Sequence, residues 1–280
     1  MTATAFFRRE LDGDREVLLP EPLAGSGWGA NTMRGMPVSG ALARAAERHV
    51  QGMGLGGMIP SRFTLDLFRP ALLMPTEITV QVVRQGRRLC LVDATFEQEG
   101  RAVARSSALF LLPSKTPDGS VWRGDAAPEL PPRSLQPDGV ERRLYYTQEA
   151  GWGQIGATEP TPGRKQSWHF PMSIVEGETP TPFQMAASVA DVANVVSNWG
   201  SNGLEFINTD VTLALARAPF GLEFGVSALD RVESDGISVG TSQMFDRAGV
   251  FGTVTVLALA NASHAVDPRD VGRRRAPVSQ

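Results

Sequence analysis

The sequence predicts an α+β protein built from two tandem copies of one unit, each a helix combined with an antiparallel sheet. Three observations predict it. A strand pattern recurs after about 148 residues, hairpin turns fall at matching points of both copies, and the helical segment of each copy suits a buried setting.

Taken in order, the opening MTATAFFRRELDGDRE has no apolar stretch long enough for a signal peptide. Pro37–His49 (PVSGALARAAERH) reads as the first helix, with proline in its first turn and Gly52, Gly54, Gly56 and Gly57 closing it. An alternating strand, FTLDLF, then ends at Arg69-Pro70. A strand over Glu77–Val83, a turn at Gly86, a strand rich in β-branched residues, a tight turn at Glu99-Gly100 and a last strand over Ala102–Leu112 complete the first copy. Residues 113–165 are rich in Pro, Gly and Asp and read as a linker with at most short elements. Pro182–Trp199 reads as the second helix, with Thr181 as N-cap and Gly200 as its stop. The strand TDVTLAL ends at Arg217-Ala218-Pro219; strands over Glu223–Leu229 and Val250–Ala260 follow, with turns at Gly236 and Ala248-Gly249. The tail ending RRRAPVSQ reads as disordered. The expected organisation is therefore a unit over 1–112, a linker over 113–165, a second unit over 166–262 and a disordered tail over 263–280.

The second helix, PFQMAASVADVANVVSNW, holds no Lys, Arg or Glu, and Asp191 is its one charge. A surface helix carries a charged face, so a helix this apolar is expected to be buried. A long helix enclosed by a curled antiparallel sheet is the hotdog architecture, and two copies make a double hotdog.

Composition narrows the function. With 42% hydrophobic and 20% charged residues and a net charge of −3, the chain suits a soluble globular protein and offers no basic surface for nucleic acid. A single cysteine, Cys90, excludes an intramolecular disulfide and sits among Leu89, Leu91 and Val92 as a buried thiol would. No run approaches the ~18–20 apolar residues of a membrane span, so a cytoplasmic protein without membrane partner is expected.

The block RFTLDLFRPALLMPTEITVQVVRQGRRLCLVDATFEQEGRAVARSSALFLL, together with FINTDVTLALARAP, resembles the TesB-like (type II) acyl-CoA thioesterases, in particular their actinobacterial-type branch. The resemblance covers roughly Trp28–Leu112 and His169–Leu259, and Phe68-Arg69-Pro70 and the Gly86-Arg87-Arg88 turn are its more specific parts. It implies the double-hotdog fold, a place in lipid metabolism, and hydrolysis of acyl-CoA to acid and CoA without metal or organic cofactor. Members carry an Asp on the second helix, which Asp191 matches, and a Thr or Asn at the start of the next strand, which Asn208 or Thr209 matches. The family's Gln in the last strand falls at Val256 or Leu257 here, and Met33-Arg34-Gly35-Met36 keeps one glycine of the family's Gly-Gly pair.

Thioester hydrolysis needs an oxyanion stabiliser, a base or nucleophile, and a dry slot for the acyl chain. Backbone N–H groups of Gly35 and Met36 at the first helix start are candidates for the first. Asp191 is the candidate base, against the plainer reading of an Asp that caps or pairs on a wet helix edge. At 100° per residue it shares a stripe with Gln184, Ser188, Asn194 and Asn198, and Asn194 lies close enough to share a water. Asn208 and Asp210 point to one strand face and Thr209 to the other, so only one set can meet Asp191; Asn208 is the preferred water-orienting partner.

Other signals fail. Gly52-Met53-Gly54-Leu55-Gly56-Gly57 follows a helix where a dinucleotide-binding glycine motif follows a strand. Gly240-Thr241-Ser242-Gln243-Met244 misses the nucleophile-elbow pattern at its last position. His49, His169 and His264 are scattered, and His169 beside Trp168 reads as structural. One other class remains open, a catalytically weak acyl-CoA or acyl-carrier-protein binding protein; a hotdog hydratase would need an Asp–His or equivalent pair, and no histidine sits near either helix start. Assembly into a homo-oligomer stays open.

Overall fold

Period-two alternation builds the sheet: along Leu89–Gln98 every second side chain, from Cys90 to Gln98, is buried. The computed structural model describes residues 5–13, 15–122, 124, 127–138 and 140–273. The first unit comprises β1 (Ala5–Asp12), β2 (Arg15–Pro20), α1 (Gly35–Gly52), β3 (Ile59–Leu67), β4 (Thr76–Gln85), β5 (Leu89–Gln98) and β6 (Arg101–Leu111). The second comprises β7 (Arg143–Thr147), β8 (Gly151–Gln154), β9 (Lys165–His169), β10 (Ser173–Val175), α2 (Pro182–Ala190) and α3 (Ala193–Asn198). It continues with β11 (Trp199–Gly200), β12 (Gly203–Leu204), β13 (Phe206–Asn208), β14 (Asp210–Leu215), β15 (Phe224–Ser234), β16 (Ile237–Asp246), β17 (Gly249–Ala260) and α4 (Pro268–Arg273).

Apart from the β11–β12 pair, these strands form one sheet ordered β10-β1-β2-β4-β5-β6-β3-β14-β17-β16-β15-β9-β7-β8, with β13 beside β17. The units join where β3 meets β14 antiparallel, and Thr64 pairs there with Thr212, 148 positions on. Equivalent residues of the two copies thus face each other across the seam, as a local twofold axis requires. Outward from it, β3, β6, β5, β4, β2 and β1 correspond to β14, β17, β16, β15, β9 and β7. Among the named strands only β10 pairs in parallel, on β1.

α1 packs on β4, β5 and β6, and α3 on β15, β16 and β17. The helices also pack on each other. Ser39 Oγ donates to Ala187 O (2.6 Å), Ser188 Oγ to Met36 O (2.8 Å), and Glu47 accepts from Thr181 Oγ1 (2.7 Å) and Gln184 Nε2 (2.8 Å). As numbers rise along α1 they fall along α2, so the two run antiparallel and the C-terminal end of α2 meets the N-terminus of α1. The polar stripe of the second helix is therefore buried and bonded, not a wet edge. Thr181 and Gln184 form a reciprocal capping box at its start. Phe183 anchors α2 in the core, edge-on to Phe63 (6.1 Å) and Phe110 (6.0 Å). No helix among the described residues is long and apolar enough to cross a membrane.

Three sequence expectations need correction. The span 113–165 is not all linker: β7 lies within it, bonded to β9 as β1 is to β2, so the sheet of the second unit begins at Arg143. A five-residue strand whose buried positions include an arginine and a tyrosine gives no apolar alternation to read. The second helix is not continuous. The N–H groups of Val192 and Asn194 bond three residues back, to Val189 and Asp191, which tightens the turn around Asp191 and separates α2 from α3. The tail is ordered as far as described: Val266 pairs with Leu204, and Arg269 bonds Asp267 in front of α4. Backbone pairing with Leu204 and the Arg269–Glu159 ion pair (3.7 Å) anchor it, and neither has a periodic sequence signature. Residues 274–280 of the expected disordered tail lie outside the described residues.

Candidate active site

Asp191 follows the last residue of α2, so the antiparallel helix packing presents its side chain to the first residues of α1. A Cβ built on Gly35 would lie 2.1 Å from Asp191 Oδ1 and 2.7 Å from Oδ2. Only glycine leaves room for the carboxylate there. Met36 N–H bonds the carboxylate, and Asn208 Nδ2 donates to its Oδ1 at 3.0 Å from the end of β13. Asp191 therefore spans three elements: α2 carries it, α1 caps it and β13 braces it.

The carboxyl is partly exposed on the floor of a cavity of about 520 Å³. Its walls are mostly apolar, with Trp28, Met33, Leu67, Phe68, Ile207 and Val266 among them, and they draw on both units and on the C-terminal segment. Desolvation in this setting pushes the Asp191 carboxyl above the usual carboxylate range. The Asn208 hydrogen bond, the Arg34 and Arg143 charges and the Met36 N–H oppose the rise without cancelling it.

The structure brings Asp191, Gly35, Met36 and Asn208 together. Thr209 also borders the cavity, but it lies between β13 and β14 and its exposed hydroxyl donates to Leu257 O at 3.3 Å. Asn194 also borders the cavity without bonding the Asp191 carboxylate: its Nδ2 donates to Phe206 O (3.1 Å) and its Oδ1 accepts from Asn198 (2.8 Å), so it ties α3 to β13. Val256 is buried, Leu257 is half-exposed, and neither lines the cavity. Met36 N–H, expected to face a thioester carbonyl, lies beside the Asp191 carboxyl and favours its ionised form.

Sequence reasoning missed a buried ionic cluster beside this floor. Arg34 Nη1 donates to Glu141 Oε2 at 2.5 Å, and Arg143 Nη2 lies 3.3 Å from the same oxygen. Both arginines line the cavity. Arg34 directly precedes Gly35, but a lone arginine before a helix reads as solvated, and Arg143 sat in the supposed linker. His169 is buried and bonded to Ser167 Oγ (3.0 Å); burial and the nearby Arg143 hold its pKa well below the usual histidine value. It does not line the cavity. Among the described residues no group of three or more His, Cys, Asp and Glu could hold a metal ion.

Comparison with known proteins gives a consistent picture. Residues 25–111 match the family model for the acyl-CoA thioesterase N-terminal domain, and residues 122–260 that for the acyl-CoA thioesterase C-terminal domain. No curated protein matches the chain. Among solved structures, the tesB protein of Mycobacterium avium subspecies paratuberculosis superposes with TM-score 0.63 at 19% identity, over 90% of this chain and 95% of that one. A hotdog-fold protein from Alicyclobacillus acidocaldarius gives 0.63 at 14% identity, over 90% and 95%. The acyl-CoA thioesterase II TesB2 of Mycobacterium marinum gives 0.57 at 17% identity, over 82% and 89%. These likenesses establish the double-hotdog fold.

Proposed function

We propose, from the premise that this chain belongs to the TesB-like (type II) acyl-CoA thioesterase family and is a thioester hydrolase, that it splits acyl-CoA into free acid and CoA with a water activated by Asp191. The observation that carries this reading is the Asp191 carboxylate, braced by Asn208 and held against Gly35 at the floor of a mostly apolar cavity. A carboxylate whose affinity for protons is raised by burial is a stronger base than one in water. Asn208 fixes its orientation and keeps a second amide N–H to offer the attacking water. The apolar walls suit an acyl chain and keep bulk water from competing. No metal or organic cofactor enters this chemistry.

One observation favours a second reading. Val256 and Leu257 supply no amide where family members carry Gln, and a weakly active acyl-CoA or acyl-carrier-protein binding protein would tolerate that loss. Incubation with acyl-CoAs of increasing chain length, followed by thiol-specific detection of free CoA, tests the two. Release of CoA well above the no-enzyme rate is expected. Saturable binding without release would favour the second reading.

A further inference from the structure

We infer that Arg143 is a catalytic residue of this site, binding the thioester carbonyl oxygen and stabilising the oxyanion that forms on it. The inference rests on the reading that Asp191 activates water for thioester hydrolysis.

Such a reaction needs a donor aimed at the carbonyl oxygen. Met36 N–H, at the start of α1, is turned to Asp191. Arg143 is 7% exposed and lines the same cavity from β7. A guanidinium carries five N–H donors. Here Nη2 faces Glu141 Oε2 at 3.3 Å, Nη1 has the Met36 sulfur at 3.9 Å, the guanidinium carbon lies 5.6 Å from the centre of the Tyr145 ring, and Nε is without a partner and closed off from the cavity. Thioether sulfur is a weak acceptor, and Glu141 also serves Arg34 at the shorter distance of 2.5 Å. The two Nη groups therefore hold N–H donors with only weak or shared partners, and a ligand oxygen entering the cavity would supply a better acceptor.

The charge movement suits the same residue. The Arg143 charge already favours the ionised form of Asp191. In the attack, Asp191 takes a proton from water, the water oxygen bonds to the thioester carbon, and the carbonyl π pair moves onto oxygen. Negative charge thus leaves Asp191 and appears on the carbonyl oxygen while Arg143 keeps an anion to face. Collapse re-forms the C=O bond and breaks C–S; the sulfur takes that electron pair and then the proton from Asp191, giving acid and CoA thiol and restoring the carboxylate.

The test compares Arg143→Gln and Arg143→Lys with the wild type and with Asp191→Asn. It reads kcat on an acyl-CoA, and affinity for two CoA analogues. One is an S-alkyl thioether with no carbonyl; the other is a trifluoromethyl ketone whose hydrate mimics the tetrahedral centre. Arg143→Gln is expected to lower kcat on the order of 10²–10³-fold, to weaken the ketone on the order of 10²-fold, and to leave the thioether unchanged within about threefold. Lysine keeps the charge without the fork and should recover only part of the loss. If the glutamine variant does not fold, the lysine variant's ketone-to-thioether affinity ratio decides, and an unchanged ratio overturns the inference. Wild-type kcat in Arg143→Gln, or equal weakening of both analogues, also overturns it. If Asp191→Asn loses activity and Arg143→Gln does not, the inference fails and the base reading survives. If Asp191→Asn keeps wild-type kcat, the base reading fails, and the inference falls with it.

Discussion

Replacing Gly35 by alanine probes the contact on which the proposed site depends. The new methyl carbon would meet Asp191 Oδ1 at 2.1 Å and Cγ at 2.4 Å. Ordinary van der Waals contact is about 3.5 Å, so the carboxylate must retreat by about 1 Å, away from Met36 N–H and out of register with Asn208. Overpacking of this kind costs about 1–3 kcal/mol. Alanine recovers part of it, because glycine within a helix costs about 0.5–1 kcal/mol relative to alanine. The net of about 0–2.5 kcal/mol corresponds to a melting-temperature drop of at most about 10 °C. The rate has no such offset, and a 1 Å displacement of a catalytic group costs on the order of 10²-fold. The prediction is therefore a folded, modestly destabilised protein with a disproportionate loss of kcat in a thiol-release assay. Gly52→Ala, at the other end of α1 where nothing lies within 4 Å of the added carbon, is the control and should hydrolyse like the wild type. Hydrolysis by Gly35→Ala within about threefold of wild type would refute the placement of the base at this helix terminus.

Further predictions follow from the same geometry. Asn208→Ala removes a hydrogen bond that favours ionised Asp191, so the acid limb of the kcat/KM profile should move to higher pH; a limb that stays put or moves down contradicts the role of Asn208. Burial raises the Glu47 carboxyl, so its contribution to stability is present below the ordinary carboxylate range and is lost as pH rises through its folded pKa. Thermal melts of Glu47→Gln against wild type should accordingly shift in favour of the variant as pH rises, and a difference independent of pH would count against a titrating Glu47. Phe183→Ala should cost about 3–5 kcal/mol in denaturant unfolding, because it empties the space between Phe63 and Phe110; a loss below about 1 kcal/mol would mean that α2 is not packed as described.

The repeat was legible because both signals behind it are local. Alternation in FTLDLF and TDVTLAL marks the two strands that meet at the seam, and the turn glycines mark the hairpins. Asp191 stood out as the one charge on an apolar helix, and Asn208, preferred over Thr209 as its partner, is the side chain that meets it. What the sequence concealed depends on contacts between distant segments. Arg34 and Glu141 are 107 positions apart, and nothing near either residue foretells that the pair is buried. The strand β7 is fixed by pairing with β9 and not by its own pattern, so Arg143 went unnoticed with it. Asn194 matched the helical stripe, yet the tightened turn at Asp191 and the approach of β13 engage its amide elsewhere. Helical-wheel geometry places a residue on a face, but it does not say which partner that face will meet.

The central claim is that Asp191 is the base, and Asp191→Asn tests it most directly. Asparagine keeps the shape and removes the proton acceptor. With saturating acyl-CoA and detection of released CoA, the account predicts a fall in kcat on the order of 10²–10⁴-fold, with affinity for the non-hydrolysable thioether analogue little changed. Wild-type kcat in the folded Asp191→Asn protein would contradict it.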